Sequence, residues 1–342
     1  MSPIKISVCI PTFNRADLLD QTLQSVAAQK EIPFEVIVTD NNSTDKTDEV
    51  GHYYAKKYGF TYIKNKENLG MIGNWNKAIS LAKGDYICLL HSDDLISPDW
   101  HEIWQDTIQN HKADFYTSAI AIIDADNKAL NISHIYKRSI SLKQPDVMKF
   151  FLKQLAPMIA PSGASIYSRK IFKEIGLYDP AYGTAADVPH WIQLVTKYSI
   201  YYQDSITFAW RSHAAQTFDK DVETKTEAAE LKRIENYFTI ISEFYKTKLS
   251  THKDRELFIR THVFITLALT NLHLAAGKLG KVARAHAIAR RIFPDLFTSP
   301  GSYATYLSIQ AKIVLFGLKR KLTPPTDLKE LSWLKDIKKK TF

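Results

Sequence analysis

The run Tyr86-Ile87-Cys88-Leu89-Leu90 is apolar throughout and breaks abruptly into His91-Ser92-Asp93-Asp94. A short continuous apolar run of this kind reads as a strand buried on both faces, and such strands belong to sheets covered by helices on either side. The two acids then stand at the strand's carboxyl end, the edge where open α/β sheets bind ligands. Adjacent carboxylates repel unless a cation joins them, and oxygen donors suit Mg²⁺ or Mn²⁺ rather than zinc. The same residues would also serve as a surface turn ahead of a helix opening near Pro98, so the pair alone leaves both readings open.

The chain upstream repeats the pattern. Lys5 to Ile10 is a strand-like run that ends in Pro11-Thr12-Phe13-Asn14-Arg15, followed by an amphipathic stretch from Ala16 to Gln29. Phe34 to Thr39 is a second such run, ending in Asp40 before Asn41-Asn42-Ser43-Thr44-Asp45, a segment rich in turn and N-cap residues. Phe60 to Lys64 gives a third strand, Asn68-Leu69-Gly70 a turn, Trp75 to Lys83 a short helix, and Gly84-Asp85 leads into the strand before the acid pair. Strands alternating with helices at this spacing predict an α/β fold with a mostly parallel, right-handed wound sheet.

Pro11-Thr12-Phe13-Asn14-Arg15, Val38-Thr39-Asp40-Asn41-Asn42-Ser43-Thr44-Asp45, Asn68-Leu69-Gly70 with Asn76, and Gly84-Asp85-Tyr86 running into Ser92-Asp93-Asp94 resemble the successive signatures of the family 2 inverting glycosyltransferases of the GT-A fold. Gly163-Ala164-Ser165, Gly176-Leu177-Tyr178-Asp179, Asp187 with Trp191, and Trp210-Arg211-Ser212-His213 resemble later landmarks of that family, and the likeness fades after about Thr217. The resemblance implies a Rossmann-like GT-A sheet with helices on both faces in residues 1–217, with the nucleotide-sugar half at about 1–97 and the acceptor half at about 98–217. Residues 218–342 then form an all-α, basic C-terminal extension.

The resemblance also assigns roles. Pro11, Thr12, Asn14, Arg15, Asp40, Asn42, Gly70, Asn76, His91, Ser92 and Asp93 fall at the nucleotide-sugar donor, with Asp40 on the base edge, where a carboxylate would accept an imide N–H. Asp93 matches the second acid of the family's Asp-x-Asp motif and, with Asp94 and His213, is expected to hold a divalent cation, Mn²⁺ or Mg²⁺. Asp187 corresponds to the catalytic base. Each has a plainer reading: an Asx-turn for Asp40, a first-turn surface residue for Arg15, a helix N-cap with Pro189 in the first turn for Asp187, an ordinary histidine for His213. Asp179 looks like a turn residue before Pro180, Trp191 like core, and Gly163-Ala164-Ser165 like a strand edge with room for a sugar ring. The chain departs from the family pattern twice, with His91 in place of the motif's first acid and Ala186 where an acid usually precedes the base.

With 342 residues, 45% of them hydrophobic, the chain can build one catalytic domain of about 220 residues and a smaller helical unit. Cys9 and Cys88 lie in predicted buried strands and read as core thiols of a reducing compartment. No secretory signal precedes the first strand and no apolar run reaches the ~18 residues of a membrane span, so the expected location is the cytoplasm. From about Glu227 the pattern turns helical, with Ala228 to Tyr245, Asp254 to Ala276, Leu279 to Phe293 and Ser302 to Lys321 as the expected helices. Residues 251–342 carry 17 Lys and Arg against 6 Asp and Glu, while residues 1–250 carry 28 against 30, so the whole net charge of +9 resides in this tail. Aliphatic and aromatic residues around Lys312, Lys319, Arg320 and Lys321 suit an anionic membrane surface at the inner face of the cell membrane better than nucleic acid; a solvated basic face is the plainer account.

The expected activity is metal-dependent transfer of a sugar, with inversion, from a nucleotide diphosphate sugar of the UDP or dTDP type to a saccharide or lipid-linked acceptor in bacterial cell-surface polysaccharide biosynthesis. A nicotinamide oxidoreductase is disfavoured, because no Gly-x-Gly-x-x-Gly follows the first strand. A degenerate, non-catalytic binder of sugar nucleotide or polysaccharide is the alternative, resting on His91 and Ala186.

Overall fold

The computed structural model of the chain describes residues 4–31, 35–144, 146–147, 162–212, 287–292 and 329–337, with single positions 231, 235, 238, 239 and 242. Strands β1 (Ile6–Thr12), β2 (Glu35–Asp40), β3 (Thr61–Lys64) and β4 (Tyr86–Leu89) pair in parallel in the order β3-β2-β1-β4. This is the wound half of the sheet that the alternating pattern predicts. β9 (Ser165–Ser168) joins it to the second half, running antiparallel to both β4 and β6 (Phe115–Ile123). β6 and β10 (Ile200–Arg211) are again parallel, and β5 (Leu95–Ile96), β7 (Ala129–Ser133) and β8 (Ile140–Leu142) add antiparallel edges.

Alternation along β1 sets the two layers, since successive side chains of a strand leave opposite faces. Ile6, Val8 and Ile10 face one way and pack with Leu19, Leu23 and Val26 of α1 (Ala16–Ala27), Val50 and Tyr54 of α2 (Thr47–Tyr58), and Trp100 and Trp104 of α4 (Trp100–Asn110). Cys9 faces the other way, into a cluster with Ile72 and Ile79 of α3 (Gly70–Leu81), Phe172 of α5 (Arg169–Ile175), and Trp191 and Leu194 of α6 (Asp187–Lys197). Helices therefore cover both faces. Trp191 is core, and Cys9 and Cys88 are buried free thiols whose pKa values burial drives upward.

Two glycines mark close approaches. A Cβ on Gly84 would lie 2.7 Å from the Lys5 carbonyl oxygen, so only glycine lets the chain enter β4 beside β1. A Cβ on Gly163 would collide with the Phe208 ring. The smallness of Gly163, expected to leave room for a sugar, is thus required by packing between β10 and the 3-10 turn Ser162–Ala164.

Phe238 and Ala289 join the buried cluster around Trp191, while Leu331 and Leu334 pack with Leu95, Tyr202 and Ala209. The remainder of the expected tail helices, including Lys312, Lys319, Arg320 and Lys321, lies outside the described residues. Among the described residues, no helix is long and apolar enough to cross a membrane.

Candidate active site

The carboxyl ends of β1, β2 and β4 lie side by side, and their loops are tied together by the residues that the sequence singles out. Asn14 leaves β1 at a φ of 48°, a left-handed conformation that asparagine tolerates better than most residues. Its N–H donates to Ser43 Oγ at 2.8 Å, and its Oδ1 accepts the Thr44 N–H at 2.8 Å. The Arg15 N–H donates to Thr47 Oγ1 at 3.1 Å. The loop after β1 is thereby fastened to the loop after β2. Pro11 and Thr12 are buried at the strand end, and the Thr12 hydroxyl has no hydrogen-bond partner.

Asp40 is fully buried. Its Oδ1 accepts the Ser43 N–H at 3.0 Å and the Ser43 hydroxyl, while its Oδ2 accepts the Tyr62 hydroxyl at 2.7 Å. The expected base-edge carboxylate is therefore turned into its own loop, the Asx-turn arrangement, and it braces that loop from beneath. Asn42 beside it is exposed, at a φ of 66°. Gly70 opens α3 at a φ of 73°, and its carbonyl accepts Asn41 Nδ2 at 3.1 Å. Asn76, expected near the donor, commits both ends of its amide to Tyr178: Nδ2 donates to the carbonyl at 2.7 Å and Oδ1 accepts the N–H at 3.0 Å.

At the end of β4 the His91 ring stacks on Trp75, with centroids 4.8 Å apart and planes at 27°. Its Nε2 is buried without a partner, and burial holds its pKa below the ordinary histidine value. Ser92 is buried as well. Asp93 meets Arg15 in an ion pair, Nη1 to Oδ2 at 2.6 Å. Asp94 is buried, with Oδ1 accepting the Arg211 N–H at 2.9 Å and its carbonyl accepting the Thr22 hydroxyl at 2.8 Å. Burial, then the neighbouring Asp93, pushes the Asp94 carboxyl well above its usual range, against the opposing pull of the Arg211 N–H and the Arg211 and Arg15 charges.

His91, Asp93 and Asp94 each present one donor atom, all within 4.8 Å of one another. One imidazole nitrogen with two carboxylate oxygens is a donor set that fits a divalent cation, and the unpartnered His91 Nε2 is the observation that favours it. His91, which departs from the Asp-x-Asp pattern, thus stays within the cluster as a neutral donor. His213, the expected third ligand, lies outside the described residues.

Arg211 is the residue whose role the motif reading does not supply. It is fully buried at the end of β10. Its Nε donates to the Asp93 carbonyl at 2.7 Å, Nη1 donates to Asn127 Oδ1, and Nη2 to Gln21 Oε1 at 3.3 Å. An arginine in the strand-like run Phe208-Ala209-Trp210-Arg211 was the available signal, since a buried charge requires a built set of partners.

Asp187 is the first residue of α6, half-buried, and its charge helps to raise the phenols of Tyr167 and Tyr178. The N-cap position belongs to Ala186, whose side chain makes no capping hydrogen bond, so Asp187 stands at the first helical position and not at the cap. Asp179 is a turn residue as expected, accepting the Ala181 N–H at 2.9 Å ahead of the 3-10 segment Pro180–Ala185.

The wound sheet with these loops at its carboxyl edge defines a glycosyltransferase fold of the GT-A class. Residues 7–176 match the model of glycosyl transferase family 2, and this stretch of the chain belongs to that family. It is 38% identical over 115 residues to the abequosyltransferase RfbV of Salmonella typhimurium, a stretch that covers 32% of this chain and 34% of that protein. The chain therefore spans about a third of that relative's length. TarS of S. aureus, residues 1–349, superposes with a TM-score of 0.62 at 15% identity, covering 90% of this chain and 89% of the other, and TarS has also been solved with UDP-GlcNAc. The mannosyltransferase PcManGT of Pyrobaculum calidifontis, solved with GDP-Man and Mn²⁺, superposes with a TM-score of 0.53 at 16% identity, covering 94% and 85%.

Proposed function

We propose that this chain moves a sugar from a nucleotide diphosphate sugar to a hydroxyl of a saccharide acceptor, inverting the anomeric carbon in one in-line displacement. The observation that carries the reading is the His91-Asp93-Asp94 cluster at the joined carboxyl ends of β1, β2 and β4. The nucleoside, uridine or thymidine, lies along Thr12, Asn14, Arg15 and Asn42, with Asp40 holding their loop in shape. His91, Asp93 and Asp94, with His213 as a further candidate, would hold a divalent cation that offsets the charge growing on the departing diphosphate. Arg15 sits on Asp93 and brings a guanidinium whose planar fork suits phosphate oxygens.

Asp187 serves as the general base. As the acceptor oxygen forms its bond to the anomeric carbon, the Asp187 carboxylate takes the hydroxyl proton; the bond from that carbon to the diphosphate oxygen breaks, and its electron pair leaves with the diphosphate. Residues 1–217 make up the catalytic domain and 218–342 a helical extension. The positive balance of residues 251–342 favours a peripheral place on the inner face of a bacterial membrane, where lipid-linked acceptors of surface polysaccharide would gather.

The test is release of nucleoside diphosphate from a panel of donors, with Mn²⁺ or Mg²⁺ and with chelator. Turnover should require the cation and be nearly lost in Asp93→Asn, because an amide keeps the shape but not the charge. Full turnover in chelator and in Asp93→Asn would overturn the reading.

A further inference from the structure

Asn76 stands on α3 one residue after Trp75, and its amide grips the backbone of Tyr178 from both sides across a sequence separation of 102 residues. Because both partners are main-chain groups, the clamp fixes the course of the chain at Tyr178 whatever side chain stands there. The carboxamide donates from its nitrogen and accepts at its oxygen; a carboxylate loses the donor and an alanine loses both.

The clamp joins two halves of the site. On its α3 side, the neighbouring Trp75 stacks on His91 of the acid turn and meets the Tyr178 ring edge-on, with centroids 5.6 Å apart at 79°. On the other side, the Tyr178 ring lies 4.6 Å from that of His190, which is one helical turn beyond Asp187 on α6. Asp187 is close enough that its charge acts on the Tyr178 phenol. Between Tyr178 and Asp187 the chain passes through the 3-10 segment Pro180–Ala185, interrupted at Gly183, whose φ of 53° and ψ of −130° are not helical. So irregular a connection does not set the position of Asp187 by itself; its anchored ends do.

We propose that Asn76 is a positioning residue for Asp187, holding the segment that leads to the base against the helix whose Trp75 supports His91. This rests on the reading of Asp187 as the base. A displacement of about 1 Å in a reacting group can cost on the order of a hundredfold in rate. Asn76→Ala should therefore lower kcat by about tenfold or more, while donor KM and the thermal shift given by UDP stay within about twofold and a degree or two of the parent.

The decisive measurement is the pair with Asp187→Asn. If Asn76 acts through Asp187, adding Asn76→Ala to Asp187→Asn lowers the residual kcat less than about twofold further. Asn76→Asp, nearly the same shape but without the donor, repeats the experiment should the alanine variant fold poorly. An equal fold-loss in both backgrounds, or a loss confined to donor KM, would overturn the positioning role and leave Asp187 as the base. Asp187→Asn with parental kcat would overturn the base assignment itself, and the positioning role with it.

Discussion

Replacing Arg211 with methionine would take a guanidinium out of a fully buried place and leave its partners behind. The Asp93 carbonyl, Asn127 Oδ1 and Gln21 Oε1 would each lose a donor, and the Asp94 carboxyl its opposing charge. A hydrogen bond from a charged donor is worth about 1.5–3 kcal/mol. Stranding a buried acceptor costs about 1–3 kcal/mol, and partial relaxation keeps these losses from adding in full. The expected destabilisation is therefore about 4 kcal/mol, or roughly 8–16 °C in Tm for a domain of this size. The backbone bond from the N–H of residue 211 to Asp94 is available to methionine and lysine alike, so the effect isolates the side chain. Urea and thermal melting of the parent, Arg211→Met and Arg211→Lys measure it. Lysine restores a charge but not the fork and should recover less than half. A methionine variant within about 1 kcal/mol of the parent, or full recovery by lysine, would refute the reasoning.

Asp187→Asn should lower kcat with little change in donor affinity, read by steady-state kinetics beside isothermal titration with UDP; a collapse of donor binding would make the residue structural. His190 is buried among the Phe172 and Tyr178 rings and its pKa is pushed down to about 4. Below the unfolded value of about 6.5 the unfolded chain binds a proton that the folded chain refuses, so stability should fall by up to about 3 kcal/mol from pH 6.5 to about 4, then level off. His190→Phe should remove that part of the slope in urea melts taken across the range, and an unchanged slope counts against it. Reversing the charges of Lys319, Arg320 and Lys321 to glutamate together, which spares Leu331 and Leu334 in their packing against Leu95 and Tyr202, should abolish pelleting with anionic vesicles while leaving donor hydrolysis intact, and equal pelleting would count against the membrane role.

Three strands of the wound half, β1, β2 and β4, were legible because burial on both faces writes itself as continuous apolar runs, which give way to polar residues at Thr12, Asp40 and His91. The antiparallel course of β9 was not, since Ser165–Ser168 has the same period in either direction and only its pairing with β4 and β6 decides. The acid turn was legible from residue type. The Asx-turn of Asp40 with Ser43 was legible too, but its bond to Tyr62 and the work of Asn76 were not, because a carboxylate or amide suits a ligand and the protein's own groups equally well. Their partners, Tyr62 and Tyr178, lie 22 and 102 residues away. Arg211 was visible as a charge in an apolar run, but what surrounds it comes from α1, the acid turn and the loop carrying Asn127.

That arrangement has a consequence for how the protein is made. Asp94 and Arg211 are 117 residues apart, and Gln21 and Arg211 are 190 apart. Synthesis at about 5–20 residues per second leaves the acid turn on the order of ten seconds without its guanidinium after Asp94 has been added. During that interval Asp93 can already pair with Arg15, whereas the Asp94 carboxyl and the Asp93 carbonyl lack their bonds to Arg211, so the turn at the end of β4 is not fully fastened until β10 arrives. The acid turn is consequently among the last parts of the domain to be fastened, and a nascent chain stalled before residue 211 would display β1 to β4 with the acceptors of Arg211 still open.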